Sequence, residues 1–585
     1  MPLNQHASTL SRTRGAAASR VLPRLDGPRA LFVICLLTLV WLVVVPLYFV
    51  VRASLTPDTL RPSNELTFAN YADLFSSGAT YSLLVNSLVF AIGGNLIALP
   101  AGALLAWIVE RTNTPLKILA YLAAYSSLAI PGILQVIGWI LLLGPQAGVI
   151  NVLVRSASGG DGTFFNLFSM AGMILVEGIE FTPAVFLLML GPFRAMDPSL
   201  EESSATSGAK PLSTFFQVTL PLAAPAIVSV LIITAVRTVE SFEVPALIGL
   251  PGGVEVLTSE IWLTITYGLR PKYGAASAYG VLLIAVVAIG IFYYSQLTRS
   301  ASKYATITGK GLRPRTTDIG PWRIFTTAFV VLLPILIVLP ILALLWVSLQ
   351  PYNAPPSLEA LGRVTLSNYP GVFQNAQIVG ALSNSFLVAA VAATLTAGFS
   401  AIVAWLVVRT AIRGRGLLDF LASLTIVFPG LVLGIALLRT YVSLPLPVYG
   451  TLWILVLAFM SKYMPFGMRF NSPGLLRISR ELEESSQTSG VGWLTTFREV
   501  VLPLMMPSLA GAWIYIFLLA MKELSVALLL YSPGTRLLAT MIFDQYQAGR
   551  YTEMAAFGIV VTVILGAVAF VFHRFSSRHS LQTAN

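Results

Sequence analysis

The sequence predicts an all-α polytopic membrane protein, with about twelve transmembrane helices in two parallel six-helix repeats. Three observations carry that fold class. Only 10% of the 585 residues are charged while 56% are apolar, apolar runs long enough to cross a bilayer recur along the chain, and the two halves resemble each other. Soluble proteins average about 25% charged residues, so a soluble enzyme, a disordered scaffold and a disulfide framework are excluded. The lone Cys35 allows no disulfide within the chain and no thiolate metal cluster. His6, His573 and His579 sit near the two ends, which leaves the middle without haem or zinc ligands. The net charge of +11 is read through its distribution, as membrane orientation and not as a nucleic-acid partner.

A helix needs about 20 apolar residues to cross the bilayer core, where only internally closed backbone hydrogen bonding survives. The first such run, 30–51, follows Arg12, Arg14, Arg20, Arg24 and Arg29 in the manner of a signal peptide. It is longer than the usual apolar region of about 7–15 residues and lacks a small-residue cleavage site, so it is expected to remain as a span. Runs at 82–109, 118–143, 168–192, 222–249 and 275–297 complete the first half. The second half repeats the series at 325–349, 380–408, 417–441, 448–470, 504–531 and 554–572. Pro131-Gly132 and Pro429-Gly430 interrupt the third and ninth runs, as a break beside a cavity or as a simple kink.

Lysine and arginine bias sets the orientation. With the N-terminus in the cytoplasm, 24 of the 36 basic residues fall on the inside and 9 on the outside. Both termini are then cytoplasmic. The expected organisation is a tail over 1–29, a first repeat over 30–298, a basic linker over 299–324, a second repeat over 325–574 and a tail over 575–585. The linker holds Arg299, Lys303, Lys310, Arg313, Arg315 and Arg323, and it marks the midpoint.

The repeat can be read residue by residue. Asn70-Tyr71, Asn86-Ser87, Ala106-Trp107, Arg111-Thr112 and Pro131-Gly132 recur 298 positions later as Asn368-Tyr369, Asn384-Ser385, Ala404-Trp405, Arg409-Thr410 and Pro429-Gly430. From Pro183 and Pro465 onward the displacement is 282, which assigns the first half 16 extra residues, expected in the outside stretch 155–166. Six spans per repeat is an even number, so both halves enter from the same side and a pseudo-two-fold axis runs along the membrane normal.

The strongest repeat lies in the inside loops after spans four and ten, over 197–221 and 479–503. One copy holds Glu201, Glu202, Ser203, Ser204 and Gly208, then Leu220-Pro221; the other holds Glu483, Glu484, Ser485, Ser486 and Gly490, then Leu502-Pro503. The interval from glycine to leucine is 12 residues in both. Ser199 and Glu202 have capping-box spacing, Pro198 discourages continuation of span four, and Gly208 suits a left-handed helix end. A helix-turn-helix on the inner face is expected, although simple closure of helical hairpins would use the same loops.

Glu-Ser-Ser-x-x-x-Gly followed by Leu-Pro at this spacing resembles the EAA loop of type I ATP-binding-cassette importer permeases. The resemblance covers about Asn70–Gly280 and Asn368–Gly558. Both copies carry Ser-Ser where the family usually has Ala-Ala, which keeps the small size. The fused two-copy form is similar to ferric-iron permeases, with thiamine permeases as relatives, and Lys522–Gly534 resembles the iron branch. The resemblance implies that each loop docks in a groove of an ATPase subunit, hence two ATPase copies inside and a periplasmic or extracellular substrate-binding protein outside, in a bacterial inner membrane. ATP and Mg are expected on the partner, with no cofactor or metal on this chain: Gly309-Lys310-Gly311 lacks the leading glycine and the hydroxyl of a phosphate loop.

Ionisable residues within spans cost roughly 2.5–3.5 kcal/mol each on insertion scales. The candidates for a translocation path or for charge pairs are Glu180, Arg237, Glu240, Glu243, Lys462, Lys522 and Glu523, with Glu177 nearby. At the displacement of 282, Lys462 corresponds to Glu180 and Lys522 to Glu240. The reading is that at least one such pair meets near the axis and holds the pathway closed. Local neutralisation of Arg237 by Glu240, and snorkelling of Glu177 and Lys462, stand as alternatives. A tight iron site midway would trap the ion, so the path is expected to attract it only transiently. Cargo stays open between ferric iron, thiamine, sugar phosphate and polyamine. The rival from another class is a proton- or ion-coupled secondary transporter; against it, Arg111–Lys117 lacks the major-facilitator loop pattern. An intramembrane enzyme finds no serine–histidine, paired-aspartate or metal-ligand constellation within the spans.

Overall fold

The computed structural model describes residues 27–58, 65–160, 162–301 and 317–582. The tail over 1–26 and most of the basic linker, including Lys303, Lys310, Arg313 and Arg315, lie outside the described residues. Apolar composition and the need to close every backbone hydrogen bond yield helices throughout. Nine described helices are long and apolar enough to cross a membrane, and three helix pairs meet that test only together, bent by 83° to 111°. Leu452–Leu476 takes the place of span ten and carries Lys462 and Arg469.

Spans three and nine are broken where the sequence places Pro-Gly: Lys117–Ala129 meets Gly132–Leu143 at 108°, and Arg415–Val427 meets Gly430–Ser443 at 111°. The proline lacks an N–H and restricts the residue before it to extended backbone, so the helix ends there. Spans five and eleven are shorter than the runs 222–249 and 504–531. Their helices stop at Val239 and Met521, one residue before a charged segment. The chain then forms the bent pair Pro245–Gly252 and Leu257–Thr266 in the first half, and Ala527–Leu530 with Leu538–Gln547 in the second. Apolar run length alone hid this break, because the segment after it is also apolar.

The repeat extends to single hydrogen bonds. Asn70 Nδ2 donates to the Ser54 and Thr56 carbonyls, and Asn368 Nδ2 to those of Ser348 and Gln350, at 2.8–3.0 Å. Ser87 Oγ accepts the Leu257 N–H at 2.9 Å and Ser385 Oγ that of Leu538 at 2.6 Å. These contacts pin the loop after the first span and the start of Leu257–Thr266 or Leu538–Gln547 in the same way in both halves.

The first span of each half crosses to the other half. Val45–Ser54 packs on Gly430–Ser443, and Arg323–Ser348 packs on Gly132–Leu143. Trp41 Nε1 donates to the Tyr441 hydroxyl at 3.1 Å, Ser461 Oγ to the Leu42 carbonyl at 2.9 Å, and Gln135 Nε2 to the Ile337 carbonyl at 3.2 Å. A Cβ on Gly138 would stand 2.5 Å from the Pro340 carbonyl, so backbones touch at this crossing. Small residues give such close approach in place of a hydrophobic driving force, which lipid does not supply. One buried core runs through both halves as a result.

Candidate functional site

Each of the loops over 197–221 and 479–503 folds as a short helix, a glycine turn and a second helix that continues into the next span. The first helices are Pro198–Thr206 and Arg480–Thr488. The cap of the first copy lies two residues earlier than the Ser199–Glu202 spacing suggests. Asp197 Oδ1 accepts the Ser199 N–H at 2.9 Å, as Ser479 Oγ accepts that of Glu481 at 3.3 Å. That N–H bond holds the Asp197 carboxyl below its usual range. Pro198, which needs no N–H, opens the helix.

Gly208 and Gly490 close these helices at φ of 85° and 82°. The next N–H, from Ala209 or Val491, returns to the Ser204 or Ser486 carbonyl at 3.1 and 3.2 Å, the Schellman pattern that a left-handed residue permits. Ser204 Oγ and Thr214 Oγ1 lie 2.8 Å apart, and Ser486 Oγ and Thr496 Oγ1 2.9 Å, so one hydroxyl pair ties helix to helix in each copy. Glu202, Ser203, Glu484 and Ser485 remain on the exposed face.

The first glutamate of each motif turns inward. Glu201 is 8% exposed and Glu483 7%. Arg111 Nη2 reaches Glu201 Oε2 at 2.8 Å while its Nε donates to the same oxygen at 3.2 Å; Thr219 Oγ1 donates to Glu201 Oε1 at 2.8 Å. Arg409 Nε stands 2.8 Å from Glu483 Oε1, at an angle unsuited to a hydrogen bond, and Trp405 Nε1 donates to Glu483 Oε2 at 3.3 Å. Arg111 and Arg409 end spans two and eight, so each loop is clamped to a membrane helix by a buried charge pair. The same arginines donate to the carbonyls of Met196 and Leu475, at 3.2 and 3.0 Å.

The second helix enters its span through one π turn, Phe215–Thr219 or Phe497–Val501. Pro221 and Pro503 follow directly. A proline lacks the N–H and crowds the carbonyl four residues back, and the wider turn relieves both. Trp107 packs on Phe215 at 4.7 Å, and Trp405 on Trp493 and Phe497 at 5.7 and 5.6 Å. The repeated Ala-Trp and Arg-Thr pairs, noted in the sequence only as repeat markers, are therefore the loops' intramolecular seats. Their repetition at a fixed distance from the span end was the available signal.

The intramembrane charges gather at the two Pro-Gly breaks. Glu180 and Glu243 carboxylates both reach the space beside Gly132, and Lys462 Nζ lies 3.0 Å from where a Gly430 Cβ would stand. Equivalent residues do not pair. Lys462 Nζ meets Glu523 Oε1 at 2.7 Å instead of Glu180, and Glu240 Oε2 meets Arg237 Nη1 at 3.1 Å instead of Lys522. Partners within the same half are nearer than the pseudo-two-fold mate, which meets its equivalent only on the axis. Tyr463 donates to Glu523 Oε2 at 2.7 Å and the Val526 N–H to Oε1 at 3.2 Å, completing that carboxylate's shell. Glu177 is buried, with Oε2 accepting from Ser241 Oγ at 3.1 Å. Among the described residues no group of three or more His, Cys, Asp or Glu is arranged to hold a metal ion.

Comparison with known proteins places both halves in one family. The family described as binding-protein-dependent transport system inner membrane component matches residues 98–303 and 397–580. The ferric transport system permease protein FbpB of Actinobacillus pleuropneumoniae is 27% identical over 69% of this chain; the match spans 58% of that relative's length. The putative ferric transport system permease protein FbpB 1 of Haemophilus influenzae is 26% identical over 80% of this chain and 76% of its own. A probable ABC transporter permease protein of Sinorhizobium fredii, y4fN, is 23% identical over 96% of this chain and 99% of its own.

Proposed function

The chain belongs to the family of binding-protein-dependent transport system inner membrane components, and from that premise we propose that it is the permease of an ATP-driven importer of ferric iron. The observation that carries the importer reading is the pair of buried clamps, Arg111 to Glu201 and Arg409 to Glu483. A loop that only closed a hairpin would need no such seat. A loop that transmits force does, because a rigid lever moves its span and a loose one does not. In this reading two ATPase copies grip the exposed faces of Pro198–Thr206 and Arg480–Thr488, ATP and Mg bind on those partners, and a binding protein delivers cargo on the opposite face. Both termini lie in the cytoplasm. Closure of the ATPase pair rocks one half against the other.

The names of the relatives support iron as the cargo, and the intramembrane chemistry agrees with it. Carboxylates suit hard cations, and Glu180 and Glu243 at Gly132 offer two of them without a closed cage. A site that must release its ion is better left incomplete. The test is uptake by vesicles holding this chain with its cognate ATPase and binding protein, with ferric iron, thiamine, a sugar phosphate and putrescine offered separately. ATP-dependent accumulation of iron alone is expected. Uptake that survives ATP depletion and collapses with the proton gradient would replace the importer reading by a coupled carrier.

A further inference from the structure

A groove of about 760 Å³ opens between the halves on the flank of the helix bundle. Tyr121, Leu122 and Tyr125 of the first half form one wall, and Phe470, Tyr515 and Phe570 of the second the other. Leu122, Tyr125 and Phe570 are more than half exposed although they lie on or beside spans, so this lining faces the surrounding membrane. Lining residues on the first wall run from Ile118 to Ile130. At 1.5 Å per residue that is about 18 Å, close to one leaflet of a hydrocarbon core about 30 Å thick. The end near Ile118 and Phe470 is the side of the coupling helices, because Leu452–Leu476 ends four residues before Arg480–Thr488 begins.

The charge at that end is lopsided. Arg469 adjoins the lining Phe470, whose ring packs on that of the lining Tyr515 at 5.6 Å; it is exposed and meets no carboxylate among the described residues. Lys117 precedes Ile118, and Arg194 lies near Tyr121 through Glu110, which holds both at 2.6–2.7 Å. Arg194 thus has Glu110 as its partner, while Arg469 has no carboxylate among the described residues. The position equivalent to Arg469 in the first half is Leu187, so this arginine belongs to one flank only. An apolar slot one leaflet deep, with a cationic rim at its headgroup end, fits one kind of occupant.

We propose that this groove holds an anionic phospholipid of the leaflet on the coupling-helix side, its acyl chains between Tyr125 and Tyr515 and its phosphate at Arg469. The lipid fills the seam between two halves that must move against each other. A basic residue near a membrane surface favours anionic lipid by about fivefold, and that is the preference assigned to Arg469.

The test uses the full chain, equilibrated in nanodiscs of equal phosphatidylglycerol and phosphatidylcholine, each carrying a photoactivatable acyl chain. Wild-type protein should crosslink phosphatidylglycerol at the groove-lining peptides about fivefold over phosphatidylcholine. Arg469→Gln should bring the ratio near one, and Arg469→Lys should keep most of it. Gly566 lines the groove, and a side chain there meets nothing within 4 Å, so Gly566→Leu should fold and lower crosslinking of both lipids. The proposal is overturned if Arg469→Gln leaves the ratio unchanged, if labelling at the groove is no denser than on the opposite flank, or if a copurifying protein segment occupies it. Arg469→Gln alters an exposed side chain, so its result stands even if Gly566→Leu fails to accumulate.

Discussion

Arg111 forks its guanidinium onto the Glu201 carboxylate with both side chains at least nine-tenths buried. The pair joins the end of span two to the first helix of the coupling loop. Removing one partner of a buried pair leaves the other charge unsatisfied and costs about 3–5 kcal/mol. Arg111→Ala and Glu201→Gln should therefore lower the melting temperature of the detergent-solubilised protein. The exposed Glu202→Gln should leave melting unchanged and weaken ATPase binding in a pull-down. Equal melting of the Glu201 and Glu202 variants would remove the clamp from the account.

The second clamp is the looser one. Arg409 meets Glu483 off the hydrogen-bonding line, and Trp405 takes the other oxygen at 3.3 Å. Arg409→Lys should consequently be milder than Arg111→Lys, since an ammonium replaces a skewed contact more easily than a forked one. Comparison of ATPase stimulation by the two variants checks the order.

The glycine turns invite a symmetric prediction. Gly208 and Gly490 have φ above 80° and open space around the missing Cβ, so alanine meets only the backbone penalty of roughly 1–2 kcal/mol for the left-handed conformation. Gly208→Ala and Gly490→Ala should each reduce ATP-driven transport, by similar factors, with little loss of folded protein. A strong effect in one copy and none in the other would mean that the halves are driven unequally.

Twelve apolar runs, the midpoint and the matched loops were legible in the sequence because each follows from local composition or from repetition. Pro131-Gly132 and Pro429-Gly430 signalled the breaks in spans three and nine. The bent pair after Val239 was not legible, since Pro245–Thr266 is as apolar as a span and turns back through an 83° bend held by hydrogen bonds with Ser87 and Asn86, both distant in sequence. The clamp arginines were visible as repeated residues but not as partners of Glu201 and Glu483, because 90 and 74 residues separate them. The choice of Glu523 over Glu180 by Lys462 depends on where the axis passes, which no spacing encodes.

That choice gives the most discriminating prediction. Lys462 and Glu523 are in contact at 2.7 Å, with Tyr463 and the Val526 N–H completing the carboxylate's shell. Lys462→Glu alone sets two carboxylates against each other at the Gly430 break and should abolish transport. Adding Glu523→Lys restores a pair of opposite charges between the same two positions and should recover part of it, short of wild type because the Tyr463 and Val526 donors then face an ammonium. Adding Glu180→Lys to Lys462→Glu should recover less, since Glu180 stands beside Gly132 and Lys462 beside Gly430. Double-mutant cycles on iron uptake measure the two couplings directly. A larger coupling between 180 and 462 than between 462 and 523 would place the equivalent residues on the axis after all.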